Sequence, residues 1–354
     1  MSIKPGALRF NTDSMKLEIF RGSANYNGTA SMAGIGTLAA GQWEEIQATS
    51  PDVQTGGTRG VFFAGYMSPA GYSDVISYAN LNTTGNAIEF GDTIVPINVA
   101  CGLSDRTRGC NLSGSAPAPT GTTDQIEFVT IASTGDAQDF GDLTQARYGP
   151  NGVSNSTRGV VVGGYVPANA QSTIDYITIS SKGKAKDFGD TATTRYYGSS
   201  ANSSTRGVVM GGQTPSYITG MEFITISTQG NGSDFGDLSI AGRLINGGSG
   251  GNSIRGIAMG RWNGSTYSNI IEYITISTLG NAQDFGDLSA GRIDITTASS
   301  PTRVVSYGGI ITPTYLNIME YVQIMTTGNS IDFGDTFQAN IAYGSACSNG
   351  HGGL

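Results

Sequence analysis

The sequence predicts an all-β protein: a six-bladed β-propeller preceded by a short N-terminal β-hairpin appendage. Three observations predict it. A unit of about 49 residues recurs six times between residues 58 and 338. Each copy divides into four short strand-like segments, and no window keeps a helical period for three turns. Glycine is abundant, at 53 of 354 residues, while Asp, Glu, Lys and Arg together make only 13%, about half the usual share. Small sheets set radially bury both faces against their neighbours, and closing the ring protects their edges.

Residues 1–57 stand outside the repeat. PGALRFNTDSMKLEIFRG (5–22) holds two alternating strands, ALRF and KLEIF, around an Asn-Thr-Asp-Ser-Met turn, a hairpin pattern. A Gly/Ala/Ser-rich stretch (22–41) then leads to GQWEEI (41–46). So short a segment supplies little core of its own. It is expected to anchor or oligomerise the chain by pairing with copies of itself or with another protein.

Residues 58–354 form the repeat. An arginine opens each copy, at Arg59, Arg108, Arg158, Arg206, Arg255 and Arg303, in steps of 49, 50, 48, 49 and 48. A Phe-Gly-Asp follows at Phe90, Phe140, Phe188, Phe235, Phe285 and Phe333. In the clearest copy the first segment is RGVVVGG (158–164), an apolar run closed by glycines. The second, IDYITIS (174–180), is apolar on both faces, as a strand between packed layers must be. A Gly turn leads to AKDFGD (185–190), and the last, RYYGSSANSS (195–204), is small and polar, suiting a crowded position. The chain closes on ANIAYGSACSNG (339–350), which matches that last segment. The C-terminal strand is therefore expected to join residues 58–93 and tie the last blade to the first.

The order of landmarks in a unit resembles kelch repeats. The glycine pair stands at Gly163-Gly164, Gly211-Gly212 and Gly308-Gly309, with Ala64-Gly65, Ser113-Gly114 and Gly260-Arg261 in its place elsewhere. Counted in kelch order, with RYYGSSANSS as the first strand and AKDFGD as the fourth, the fourth-strand aromatic is Phe rather than the usual Trp.

Several chemistries lack their residues. Cys101, Cys110 and Cys347 are odd in number and without CxxC spacing, and His351 is the lone histidine. Histidine triads, disulfide frameworks and zinc sites are excluded on that ground. The Asp-Phe-Gly runs invite a magnesium-binding kinase reading, but six copies without a phosphate loop exclude it. Calcium would need a D-x-[DN]-x-[DN]-G loop. No cofactor, metal or catalytic residue is expected. The Phe is read as filling the gap between blades, with Gly and Asp making a turn whose carboxylate accepts backbone N–H groups. The repeated arginines, including a second set at Arg147, Arg195, Arg243 and Arg292, are read as ion-paired with repeated acids such as Glu127, Asp175, Glu222, Glu272 and Glu320. A net charge of −8 argues against nucleic acid or an anionic membrane as partner, and no apolar run is long enough to insert in a bilayer.

The least repeated segments lie between the first and second strands of each copy. Tyr66, Tyr72, Tyr165, Tyr217, Trp262, Tyr267 and Tyr315 cluster there. Variable loops on a rigid scaffold are where binding resides, and aromatic rings among Ser, Thr and Asn suit sugar faces or a protein partner.

RFNTD, KLEIF and WEEI, in that order, resemble a short module near the ends of tailed-phage fibre and virion proteins. The TRG, ITIS-x-x-G and DFGD marks resemble those of structural proteins from marine phages, notably phages of cyanobacteria. These resemblances imply a virion structural protein, assembled in the host cytoplasm and tail-associated, as a fibre or tail-assembly component. The N-terminal module would join other virion proteins or a second copy, and the propeller would meet a host-surface glycan, a receptor or a neighbouring subunit. Capsid decoration is the first competing expectation. A carbohydrate-active enzyme is the second; it would need a carboxylate pair, and Asp74, Asp124 and Asp294 show no such pairing by sequence.

Overall fold

The structure is a computed structural model that describes residues 7–11, 16–21, 42–45, 57–119, 121–244, 248 and 250–354. It divides into two units, Met1–Val53 and Gln54–Leu354. In the first, Leu8–Asn11 and Lys16–Arg21 pair antiparallel, with Leu8 opposite Ile19 and Phe10 opposite Leu17. Gln42–Glu45 adds to the other edge of Lys16–Arg21, with Trp43 opposite Phe20. The expected turn at 12–15 and the Gly/Ala/Ser-rich 22–41 lie outside the described residues.

The second unit is a six-bladed β-propeller of antiparallel sheets. Blade 3 sets the pattern, from the axis outward: Asn151–Ser154, Arg158–Val162, Thr173–Thr178 and Lys186–Asp190. Blades 2, 4 and 6 begin on the axis at Cys101–Ser104, Ser199–Asn202 and Thr296–Ser299. In blade 5 the axial contribution among the described residues is a bridge from Gly251 to Gly256. Blade 1 takes its axial strand from the other end of the chain. Ser345–Ser348 pairs with Arg59–Met67, Cys347 opposite Val61, and Ile341–Ala342 extends the pairing to Met67 and Tyr66. The C-terminal strand thus closes the ring as its sequence match to the other axial strands predicts.

Apolar residues on both faces of the middle strands pack blade against blade. Val153, Val160, Val162, Ile174 and Phe188 of blade 3 share one cluster with Val209, Ile224 and Ile226 of blade 4. The six repeat phenylalanines are all buried in such seams. Their Gly-Asp partners do not form turns, however. Each Phe-Gly-Asp is a bulged outer strand that bonds to the next blade. Between blades 3 and 4, Gly230 N donates to Phe188 O (2.9 Å), Gly232 N to Asp190 O (2.8 Å), and Asp190 N to Asn231 Oδ1 (3.1 Å). The first two bonds recur at all six seams, including Gly85 N to Phe333 O and Ala87 N to Asp335 O where the last blade meets the first. The glycine is required by this approach: a Cβ at Gly189, whose φ is +148°, would lie 2.5 Å from Gly230 O.

The repeat arginines also depart from the ion pairs expected of them. Each stacks over an aromatic ring of its own blade, at 4.3–4.8 Å, as Arg158 does on Tyr176. Each then donates from Nη1 to a carbonyl of the next blade, Arg158 to Ile226 O at 3.0 Å and Arg303 to Asn82 O at 2.9 Å. The second set does form buried ion pairs: Arg147 with Asp175 (3.0 Å), Arg195 with Glu222 (2.5 Å) and Arg292 with Glu320 (2.8 Å). Arg243 is not in that set. In blade 5 the partner of Glu272 is Arg261. Arg261 occupies the position of Gly164 and Gly309, and Gly242 occupies that of Arg147 and Arg292. The exchange is steric: a Cβ at Gly164 would meet Arg147 Cδ at 2.9 Å, and one at Gly242 would meet Arg261 Cδ at 3.2 Å. Blade 5 thus delivers the same guanidinium to the same place from the neighbouring strand.

Candidate functional site: the loop face around the axis

Strand direction fixes two faces. Axial strands end in turns capped by Asp105, Asn155, Ser203, Asn252, Ser300 and Asn349, whose side-chain oxygens accept the backbone N–H of the arginine that opens the next strand. On that face the C-terminal tail crosses the axis. His351 Nε2 donates to Ser104 O (3.0 Å), and Nδ1 accepts from Asn202 Nδ2 (2.9 Å) and Gly353 N (3.1 Å). This pattern requires the neutral imidazole, and burial holds its pKa down, to about 4. The histidine without a metal partner in the sequence is therefore a structural plug.

The opposite face carries the variable loops and the links that run from each outer strand to the next axial strand. Here the mouth of the channel is drawn together by backbone. Gly149 N donates to Val99 O, Tyr197 N to Gly149 O, Leu244 N to Tyr197 O, Val99 N to Tyr343 O and Tyr343 N to Asp294 O, at 2.7–3.3 Å. Four non-glycine members, Val99, Tyr197, Asp294 and Tyr343, hold φ between 54° and 62°. Left-handed backbone of this kind costs about 1 kcal/mol or more per residue and concentrates at ligand clamps and functional sites.

Tyrosines cover this ring in two connected groups. Tyr72, Tyr66, Tyr315 and Tyr343 run in sequence, with ring centroids 5.7, 5.9 and 6.4 Å apart. Tyr148, Tyr165, Tyr196 and Tyr197 form the second group at 4.5–6.0 Å, and the Arg243 guanidinium sits 5.8 Å from the Tyr197 ring. Trp262 and Tyr267 pack with tilted rings 4.6 Å apart and, with Tyr315 and Tyr343, rest on Ile293, Ile310 and Ala342. Tyr217 reaches the blade 5 loop, where it borders Gly264. All of these rings are partly exposed.

The seven aromatic residues named from the sequence thus lie on one face, and five of them, Tyr66, Tyr72, Tyr315, Trp262 and Tyr267, join through shared contacts. Sequence reasoning missed Tyr148, Tyr196, Tyr197 and Tyr343, because RYYG was read as strand. The strand begins only at Ser199; the residues before it are the link over the mouth. It also missed Arg243 and Asp294.

Asp294 is fully buried, and neither carboxylate oxygen has a hydrogen-bond partner. The charge of Arg243 and the Tyr343 hydroxyl both act to lower its pKa. Burial dominates both and raises the Asp294 pKa to about 7. Asp74 and Asp124, named with it from the sequence, lie on the third strands of blades 1 and 2. No protein-family model and no curated protein matches the chain.

Proposed function

We propose that the protein is a virion component of a tailed phage, carried on the tail, and that its propeller is a rigid adhesive disc. The observation that carries this reading is the tyrosine floor on one face. Its rings are half-exposed, set among short polar side chains and supported by a lattice of inter-blade bonds. Such surfaces gain binding energy at low entropic cost, because an aromatic side chain has few rotors to freeze. The floor suits a host-surface glycan, with a neighbouring virion subunit as the competing occupant. The N-terminal three-stranded unit supports attachment to other virion proteins or to a second copy, since among the described residues its two outer strands each pair on one side only. The phage assignment rests on the resemblance of the hairpin and repeat motifs.

Immunogold labelling of purified particles with an antibody against the propeller tests the assignment. Label on the tail is expected. Label over the head would replace adhesion with capsid decoration, and absence of label from intact and opened particles would overturn the virion reading.

A further inference from the structure

Among the described residues, four buried polar atoms without partners lie at the loop-face mouth. Asp294 Oδ1 and Oδ2, Arg243 Nε and Asn98 Oδ1 all belong to the links at the loop-face mouth. Of the other nine among the described residues, six are nitrogens of blade arginines already ion-paired through another nitrogen, an explanation that the four at the mouth lack. An unpaired buried carboxylate costs several kcal/mol unless something serves it. In blades 3 to 6 a buried arginine contacts the blade's acid, whereas among the described residues no ion pair joins Arg243 to Asp294. Arg243 precedes Leu244 and Asp294 bonds Tyr343 in the backbone ring of the mouth, and Arg243 Nε and both Asp294 carboxyl oxygens lack standard hydrogen bonds. Tyr197, Tyr315 and Tyr343, whose hydroxyls lie within the field of Asp294, are each partly exposed, so they join the buried carboxyl to the open face.

We propose that this mouth is a carbohydrate subsite, in which vicinal hydroxyls of a neutral pyranose bridge Asp294 and Arg243 while the sugar ring lies on the tyrosine floor. The chemistry selects that class. A hydroxyl both donates and accepts, so one diol serves the Asp294 carboxyl in either protonation state and the donor-only guanidinium together. An anionic ligand would meet Asp294 and a cationic one Arg243, each at an electrostatic cost in a site of low dielectric. The apolar C–H face of a pyranose matches an aromatic surface. The inference rests on the adhesive reading of the loop face and specifies its ligand.

Saturation-transfer NMR and titration of the full chain with methyl α-D-glucopyranoside, methyl α-D-galactopyranoside and methyl α-D-mannopyranoside test it. At least one is expected to bind with millimolar Kd. Asp294→Asn, which removes a buried charge, is expected to melt no lower than wild type at pH 8 and to weaken binding at least tenfold. Arg243→Gln gives a second, independent variant with the same expected loss. Binding of none of the three glycosides, or unchanged affinity in either folded variant, overturns the subsite. Attachment that survives Asp294→Asn but is lost on replacing Tyr66 and Tyr165 would overturn the subsite and leave the loop-face reading standing.

Discussion

Glu127 shows what one missing arginine does to a buried acid. Blade 2 has Ile97 where blades 3, 4 and 6 have their paired arginine, so the Glu127 carboxyl is left with Asn111 Nδ2 at 2.7 Å and Ile94 N at 2.8 Å. Burial prevails over both bonds and pushes its pKa from 4.5 up to about 7. The folded state then holds a proton that the unfolded chain has released, so stability falls as pH rises from about 4.5 to about 7 and is flat above. Glu127→Gln keeps the Asn111 bond but loses the one from Ile94 N, since an amide nitrogen cannot accept it. With no carboxyl left to titrate, the variant is expected to lose the fall in stability between about pH 4.5 and about pH 7. Melting curves at the two pH values check this. His351 has the opposite sign. Its folded pKa of about 4 lies below the unfolded 6.5, so its contribution is complete above about pH 6.5 and is lost as pH falls toward 4. Amide exchange at Gly353, whose N–H is held by His351 Nδ1, is expected to accelerate over that interval; exchange indifferent to pH after correction for the intrinsic rate would contradict the plug.

At the scale of elements, the Arg261 exchange is the sharpest test of the packing account. Removing one partner of a buried pair typically costs about 3–5 kcal/mol. Arg261→Gly is expected to destabilise the protein on that scale, and adding Gly242→Arg is expected to recover most of the loss. Urea denaturation of the single and double variants measures it, and additive losses would show that the two positions are not equivalent. The strands themselves were legible in the sequence, because alternation and glycine punctuation are local signals. The phase of Arg243 was legible too: Arg147, Arg195 and Arg292 stand seven residues after the repeat Phe, and Arg243 stands eight. Counting from arginine to arginine hid that shift. The bulge at Phe-Gly-Asp was not legible, since its meaning lies in a bond to a turn in the next blade. The tyrosine links were hidden for the same reason, being ordered by hydrogen bonds between residues about fifty positions apart in the chain.

The propeller closes at three radii where its last blade meets its first. Ser345–Ser348 supplies the axial strand, Arg303 donates to Asn82 O, and the outer strand's carbonyls accept from Gly85 N and Ala87 N. Deleting residues 339–354 removes both the axial strand and the His351 plug, so cooperative melting is expected to be lost; an unchanged transition would refute closure by the clasp. What the closed ring supports is the floor of tyrosines around Asp294, and recognition through that floor is the central claim. Adsorption of the purified, labelled full chain to host cells tests it most directly, comparing wild type with a Tyr66→Ala, Tyr165→Ala, Tyr343→Ala variant whose fold is confirmed by circular dichroism. The account predicts saturable binding by wild type and at least a tenfold loss in the variant. Equal adsorption of the two proteins, or none by either, would contradict it.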